Sequence, residues 1–424
     1  MNRRILGMLG LVTSAVLATS LAVVPGAHAD AGTIVVWADE TRGPHLTSVF
    51  AAKGDWVPGY TIKVVSFSSY DALDAAWNST SGTTGPDILV AGNDWVVASA
   101  KSGKLAPVTL TAGQKSHFTS SQFYDLSYQG KLYGVPVDVN NVSMVYNTDL
   151  VKSAPKSFGD MVDFYKANKS ADGLKAGLCI AGGGMAWGGL SVFSALGANP
   201  YEMFKGQYSG RPNYHYTFNP AVFASNVKTY LLDSNGKSNG FYPATDVGCK
   251  DNYLAGKVPF AVIGNWDWKD YTAKGFAMNL MPVPGVKAGT YGKMFGSVSG
   301  AFLSAYAAKH GVAVGAKSLL VNFFASTEGQ VAYEALEGRP PAEKGAQSSP
   351  LVSDAQKGFG KAAGLAGLPQ IGAFLSNNAG GANYWDSSGA YWTAVLVNGK
   401  NPLVEAKKLS KMWAKNVAAG KGDL

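Results

Sequence analysis

The first part of the chain alternates short apolar runs with segments of helical periodicity. Residues 33–37, 61–65 and 85–90 are rich in β-branched side chains, which is typical of buried strands in a parallel sheet. Between them, residues 44–56 and 69–78 repeat apolar side chains at the spacing of one helix face. This alternation of strand and helix predicts a doubly wound α/β fold.

A different pattern occupies residues 132–150. The β-rich runs 135–139 and 142–146 are separated by two asparagines at 140–141. One extended segment broken by two amides is the pattern we expect of a strand that passes between two lobes. It predicts a two-lobed protein whose first hinge lies near residues 138–142.

Polar side chains follow the first and third predicted strands. Asp39, Glu40 and Arg42 come after the first strand, and Asn93, Asp94 and Trp95 come after the third. Ligands of doubly wound sheets meet the loops at the carboxyl ends of the strands. We therefore predict that these six side chains are candidates for ligand contact.

The overall composition is that of a globular protein with room for two domains. The chain has 424 residues, of which 46% are apolar and 15% charged. Its net charge of +8 contains no block of five or more Lys and Arg residues. A diffuse charge of this kind favours a cationic surface over a nucleic-acid site, so no nucleic-acid partner is predicted.

The N-terminus has the pattern of an export signal. Arg3 and Arg4 precede an apolar region at residues 5–24, and a small-x-small site ends at Ala29. We predict cleavage after Ala29 and an extracellular or cell-envelope location. A membrane anchor is the alternative, but no charged stop-transfer flank follows. No cysteine stands at the cleavage point for lipid attachment, and the sequence does not decide between general and twin-arginine export.

Two cysteines, Cys179 and Cys249, belong to the predicted mature chain. In an exported protein an even count favours a disulfide, with two separate buried thiols as the alternative. Two thiols without a nearby histidine cluster do not form a closed zinc site, so neither a metal nor a cofactor is predicted.

Enzyme motifs are scarce. Residues 296–300 match the Gly-x-Ser-x-Gly elbow of hydrolases, but His310 is the only later histidine and no acid lies between. That order excludes the elbow triad. A pair of carboxylates held about 5–9.5 Å apart hydrolyses glycosidic bonds, and Asp39 with Asp94, or Asp94 with Asp267, keeps an extracellular glycoside hydrolase as the rival class.

Several segments carry a family resemblance. The chain resembles extracellular solute-binding proteins of ABC sugar importers, in particular the maltose/maltodextrin-binding group, over nearly the whole predicted mature chain. The segments that carry the resemblance are 36–43 (VWADETRG), 85–88 (GPDI) followed by 93–94, 130–137 (GKLYGVPV) with 146–150 (YNTDL), 253–268 (YLAGKVPFAVIGNWDW) and 338–342 (GRPPA).

The resemblance implies a periplasmic-binding-protein type of fold. Two doubly wound lobes would be joined by a multi-strand hinge, with a ligand cleft between them. The implied N-terminal lobe is 30–138 plus 296–350, the C-terminal lobe is 142–293 plus 353–424, and the hinge segments lie near 138–142, 294–300 and 346–353.

The resemblance also implies a set of sugar contacts. Asp94 matches an acid that takes sugar hydroxyls, and Trp266 and Trp385 match aromatic platforms, with Tyr384 as a possible partner of Trp385. Trp187 matches a further aromatic, although a core role is the alternative. The sequence departs from the family at Ala91, where an aromatic is missing, and Trp95 is expected to supply that surface. The full predicted set is Asp39, Glu40, Arg42, Asp94, Trp95, Asp138, Asn140, Trp187, Trp266, Tyr384 and Trp385.

The implied function is binding rather than catalysis. A monomer would bind an oligosaccharide, with a maltodextrin-type α-glucan as the first expectation and another oligosaccharide as the alternative. Sugar contacting both lobes would favour closure, and the closed form would dock on an ABC permease. A binding protein that serves a sensor would have the same sequence features.

Overall fold

The computed structural model describes residues 32–80, 84–181, 187–203, 214–243, 248–272, 275, 277–368, 372–375 and 378–420. The predicted export signal and the glycine-rich loop before Trp187 lie outside the described residues.

The first lobe begins with the predicted alternation of strands and helices. The elements are β1 (Thr33–Ala38), α1 (Arg42–Ala52), β2 (Thr61–Ser66), α2 (Tyr70–Ser79) and β3 (Ile88–Gly92). Strand β1 pairs in parallel with both β2 and β3, so the carboxyl ends of all three strands meet at one edge of the sheet. Ser69 is the N-cap of α2, and its side chain accepts a hydrogen bond from the Ala72 N–H at 3.0 Å.

A series of short elements then leads to the longest strand described. A 3₁₀ turn at Asn93–Trp95 precedes α3 (Val96–Lys101), α4 (Ala112–Ser116), α5 (Ser120–Asp125), β4 (Ser127–Tyr128), β5 (Lys131–Leu132) and β6 (Gly134–Asn147).

The second lobe follows β6. Its elements are α6 (Phe158–Asn168), β7 (Leu178–Ile180), α7 (Leu190–Ala195), β8 (Glu202–Met203), β9 (Tyr214–His215), α8 (Pro220–Leu231), α9 (Cys249–Leu254), β10 (Phe260–Gly264), a 3₁₀ turn (Asn265–Asp267), α10 (Trp268–Thr272) and β11 (Met278–Met281).

The remaining chain returns to the first lobe and then to the second. The elements are β12 (Met294–Leu303), α11 (Tyr306–Lys309), α12 (Ala313–Leu319) with a π-helical turn (Leu320–Phe324), α13 (Thr327–Glu337), α14 (Lys344–Gln347), α15 (Asp354–Ala366), β13 (Gly367–Leu368), α16 (Gly372–Leu375), α17 (Tyr384–Trp392) with a π-helical turn (Thr393–Val397), and α18 (Pro402–Gly420). Among the described helices, none is both long and apolar enough to span a bilayer.

One hydrogen-bonded sheet contains strands of both lobes, whereas β4 with β5 and β8 with β9 form two separate two-stranded sheets. The strand order of the large sheet is β2-β1-β3-β12-β6-β10-β7, with β11 added to β6 and β13 added to β12. The first part of β6 pairs with β12, and from Val142 onward β6 pairs with β10 and β11. Strand β6 therefore runs from one lobe into the other, in the two-lobed arrangement that the sequence predicts.

The two asparagines on β6 do not interrupt the strand, contrary to the sequence expectation. Asn140 and Asn141 remain in register with β12, and the change of partner comes immediately after them. Their side-chain amides instead form hydrogen bonds with other segments of the chain. Asn140 Nδ2 donates to Ser299 Oγ at 2.5 Å, and Asn141 Nδ2 donates to the Phe359 carbonyl at 2.8 Å. Polar side chains are compatible with a strand when they find partners of this kind.

The apolar interior extends through both lobes. A cluster around Ile34, Val36 and Phe323 lies under the first sheet. The largest cluster contains Leu89 of the first lobe together with Trp413 of the second, so the lobes are in apolar contact in this structure.

The structure confirms the predicted disulfide. Cys179 on β7 is bonded to Cys249 at the start of α9, with the two Cα atoms 5.5 Å apart. Both residues are buried beside Tyr253 and Tyr271 in a small core of the second lobe.

Candidate ligand-binding site

A cavity of about 530 Å³ lies between the lobes, beside strands β6 and β12. Its volume is within the range of sites that enclose small organic ligands. The lining residues are Asp39, Glu40, Thr41, Arg42, Tyr70, Asp71, Gly92, Asp94, Asn140, Asn141, Val142, Trp187, Trp266, Phe295, Ser297, Ser299, Arg339 and Trp385.

The loop after β1 forms one polar wall. Asp39 holds the turn that leads into α1, since its Oδ1 accepts the N–H groups of Thr41 at 3.0 Å and Arg42 at 2.9 Å. Burial alone would raise the pKa of Asp39, but the charges of Arg42 and then Arg339 hold that pKa well below its ordinary value. The carboxylate is therefore ionised at any pH near neutral.

Arg42 is oriented by residues of three different elements. Its Nε donates to Asp138 Oδ2 at 3.0 Å, and its Nη2 donates to Asp138 Oδ1 at 3.2 Å and to Ser299 Oγ at 2.5 Å. A second ion pair joins it to Asp39. Burial would lower the pKa of Arg42, but Asp138 and Asp39 raise it, so the guanidinium stays charged although it is 3% exposed.

The turn after β3 contributes Asp94. Burial raises the pKa of Asp94 to about 6, with Asp74 adding to the effect and a hydrogen bond from Tyr70 opposing it. Tyr70 itself begins α2 and lines the same cavity. A titrating carboxyl group thus lies at the cavity wall beside an aromatic ring.

Aromatic rings contribute a second kind of lining. The ring centroids of Trp187 and Trp266 are 5.1 Å apart at an angle of 55°, and those of Trp385 and Phe295 are 5.8 Å apart. Trp266 is 36% exposed, which leaves indole surface free for a ligand. Its ring folds back over Gly264, where a Cβ would clash with the indole.

Residues 48–359 match the model of a bacterial extracellular solute-binding protein family. The chain belongs to that family.

A solved structure shows the same fold for this solute-binding protein. The crystal structure of a cyclo/maltodextrin-binding protein complexed with maltotetraose superposes with a TM-score of 0.68 at 21% identity, covering 90% of this chain and 96% of that one. The predicted fold class, two lobes of the periplasmic-binding-protein type, is therefore confirmed.

Two sequence relatives differ in the sugar that they are named for. A maltooligosaccharide ABC transporter solute-binding lipoprotein of Streptococcus pneumoniae is 28% identical over 181 residues, which are 40% of this chain and 42% of that protein. A galactooligosaccharide-binding protein of Bacillus subtilis is 24% identical over 285 residues, 64% of this chain and 65% of that protein. The chain thus spans less than two thirds of the length of either relative.

The structure brings most of the predicted contact residues of this solute-binding protein to the cavity. Those that line it are Asp39, Glu40, Arg42, Asp94, Asn140, Trp187, Trp266 and Trp385. Trp187, for which a core role was the alternative, is half-buried and faces the cavity beside Trp266.

Three residues of the full predicted set do not line the cavity, which differs from the sequence expectation. Asp138 is fully buried and is bound by Arg42. Trp95 packs against Tyr70, with ring centroids 4.9 Å apart. Tyr384 is fully buried in the core, with its ring 5.3 Å from that of Trp413. Each is a neighbour of a lining residue rather than part of the lining.

The sequence analysis did not identify several lining residues. Tyr70 and Asp71 follow the carboxyl end of β2, so the rule applied to the other strand ends would have found them. Phe295, Ser297 and Ser299 come from β12, whose position beside β6 depends on long-range pairing. Among the described residues, no group of three or more His, Cys, Asp or Glu residues is arranged to hold a metal ion.

Proposed function

We propose that this protein binds an oligosaccharide outside the membrane and delivers it to an ABC permease, with a maltodextrin-type α-glucan as the first candidate ligand. The observation that carries the proposal is one cavity lined both by aromatic rings and by carboxylate, amide and guanidinium groups.

The aromatic and the polar lining residues match the two kinds of surface on a sugar ring. A pyranose presents C–H groups on its faces and hydroxyl groups around its edge. Indole faces are apolar and electron-rich, so Trp266 and Trp385 suit the C–H faces. Asp39, Asp94 and Arg339 suit the hydroxyl edge, because charged acceptors and donors form the stronger hydrogen bonds.

The names of the relatives support an oligosaccharide ligand but name two different classes of oligosaccharide. One relative is named for maltooligosaccharides and the other for galactooligosaccharides. The ligand panel below therefore contains both classes of oligosaccharide.

We further propose that ligand closes the two lobes, with boundaries at the three hinge segments predicted from the sequence. Polar contacts of the first lobe and aromatic contacts of the second would act together only in the closed form. A switch from mostly open to mostly closed needs a differential binding free energy on the order of 5 kcal/mol. Small-angle scattering would detect closure as a smaller radius of gyration at saturating sugar, and an unchanged radius for every sugar that binds would contradict it.

The decisive experiment is a titration of residues 30–424, the proposed exported form, against sugars. Trp187, Trp266 and Trp385 make intrinsic fluorescence a direct reporter, and calorimetry gives the stoichiometry. Saturation by maltotriose supports an α-glucan ligand, and saturation only by a galactooligosaccharide changes the ligand but keeps the function. No response to any oligosaccharide would refute the proposal.

Binding without turnover is part of the same proposal. Saturated protein incubated with the bound sugar should release no new reducing ends. Release of reducing sugar that depends on Asp94 would instead assign the chain to the glycoside hydrolases. Loss of sugar uptake in cells from which the gene is deleted distinguishes the permease role from service to a sensor.

A further inference from the structure

Tyr70 is an aromatic residue of the first lobe that lines the same cavity as Trp266 and Trp385. It lies at the start of α2. Trp95 packs against its ring, with a centroid distance of 4.9 Å and an interplanar angle of 47°. The first lobe therefore presents one aromatic face to the cavity, although Ala91 stands where the resemblance implied an aromatic residue.

The hydroxyl of Tyr70 is engaged with the turn that carries Asp94. The Gly92 N–H donates to Tyr70 Oη at 3.2 Å, and Tyr70 Oη donates to the Asp94 carboxyl group. Burial and then the charge of Asp94 raise the pKa of Tyr70 well above its ordinary value, so the hydroxyl keeps its proton and remains a donor.

Gly92 shows how closely these groups approach. A Cβ built on Gly92 would lie 2.5 Å from Asp94 Oδ1 and 2.7 Å from Tyr70 Oη. Both oxygens therefore lie over the Gly92 backbone, in space that any other residue would fill.

We propose that Tyr70 is the sugar-stacking ring of the first lobe and, through its hydroxyl, the positioning residue for Asp94. This inference rests on the proposed function for its stacking part. The positioning part concerns only residues of this chain and is testable without any ligand.

The charges around Asp94 make the positioning role measurable. Helix α2 contributes Tyr70, Asp71 and Asp74, and the loop after β1 contributes Asp39 and Arg42. Helix α16, which packs against the same turn, has no titratable side chain. Burial and Asp74 favour the protonated carboxyl group, and the Tyr70 hydroxyl opposes them by stabilising the ionised one.

The sign of the pH dependence follows from this balance. Sugar hydroxyls donate to the ionised carboxylate of Asp94. The affinity for sugar should therefore rise as the pH is raised through about 6, the pKa of Asp94 in the sugar-free protein. Tyr70→Phe removes the hydroxyl and keeps the ring, so the midpoint should move upward by roughly one pH unit, the size of one hydrogen bond to a charged group.

The experiment compares four variants with the parent by calorimetry with maltotriose, or with the sugar that binds most tightly, between pH 5 and 8. Tyr70→Phe should retain affinity within a few fold at pH 8 and show the shifted midpoint. Tyr70→Leu should lose about tenfold or more at every pH, as the stacking face is gone. Asp94→Asn should abolish the pH dependence, and Tyr60→Phe, a half-buried tyrosine outside the cavity, should change nothing.

A second readout keeps the two parts separate. Carboxyl ¹³C titration without ligand, assigned with Asp94→Asn, measures the pKa of Asp94 directly, and thermal melting confirms that each variant is folded. An unchanged Asp94 pKa in Tyr70→Phe would overturn the positioning role. Full affinity in Tyr70→Leu would overturn the stacking role, whereas a parent that binds no sugar refutes the proposed function and leaves the Asp94 titration to decide positioning.

Discussion

Arg42 and Asp138, 96 residues apart in the chain, form a buried ion pair with Arg42 Nε and Asp138 Oδ2 3.0 Å apart. It ties the loop after β1 to the strand that crosses between the lobes. The pair is therefore structural support for the cavity, and Arg42 is held by the protein itself before any ligand arrives.

Removal of Asp138 should destabilise the protein strongly. Asp138→Ala leaves the buried guanidinium without its main partner, and breaking a buried pair in this way costs about 3–5 kcal/mol. Denaturant unfolding at neutral pH measures the change in the free energy of unfolding. The control is Glu328→Ala, which breaks the exposed pair with Lys53 (N–O distance 2.7 Å) and should cost less than about 1 kcal/mol. Equal costs for the two variants would contradict the role of Asp138.

Loss of the disulfide should weaken the second lobe. Cys179 and Cys249 are separated by 70 residues, and closing a loop of that length contributes on the order of 4 kcal/mol by restricting the unfolded chain. The double variant Cys179→Ser/Cys249→Ser should melt at a lower temperature than the parent. A reductant should lower the melting temperature of the parent only, and an effect of equal size on the double variant would argue against the disulfide as the cause.

Truncation of Trp266 should weaken sugar binding without unfolding the protein. Trp266→Ala removes the most exposed indole of the cavity, worth about 1.5–3 kcal/mol of apolar contact, so affinity should fall roughly tenfold to a hundredfold. Trp268→Ala is the matched control, since that nearby indole packs against Phe359, with ring centroids 5.7 Å apart, and does not line the cavity. If calorimetry gives the same loss for both, Trp266 is not a specific sugar contact.

Buried Glu334 should make stability fall with rising pH. Burial, followed by the charge of Asp138, raises its pKa well above the ordinary 4.5, against the opposing charges of Arg339 and Arg42. Above pH 4.5 the unfolded chain releases a proton that the folded chain keeps, so this contribution to stability is present below that pH and is lost on raising it.

Glu334→Gln removes the titration. Its melting temperature relative to the parent should therefore rise between pH 5 and pH 8, by roughly 3 °C for each kcal/mol that the parent loses. Glu328→Gln on the same helix has an exposed side chain and should show no such trend. A Glu334→Gln difference that is constant with pH would mean that Glu334 does not titrate abnormally.

The local pattern of the sequence was sufficient for the first three strands, for the two helices between them and for much of the polar part of the cavity lining. The runs before Asp39 and Asp94 are continuous and β-branched, so both strands and the position of the polar residues at their ends could be predicted. The disulfide followed from two cysteines in a chain with a predicted export signal. These inferences need only near neighbours in the chain.

The tertiary structure decided which of those residues face the cavity. Asp138, Trp95 and Tyr384 are of the right type and in the right segments, but each is turned toward protein partners from distant parts of the chain. Burial and partner choice are long-range properties, because they depend on how β12 and the helices of both lobes pack around β6. For the same reason, the tertiary structure alone decides that Tyr70 lines the same cavity as the tryptophans, whereas the helix that carries Tyr70 could be predicted from the sequence.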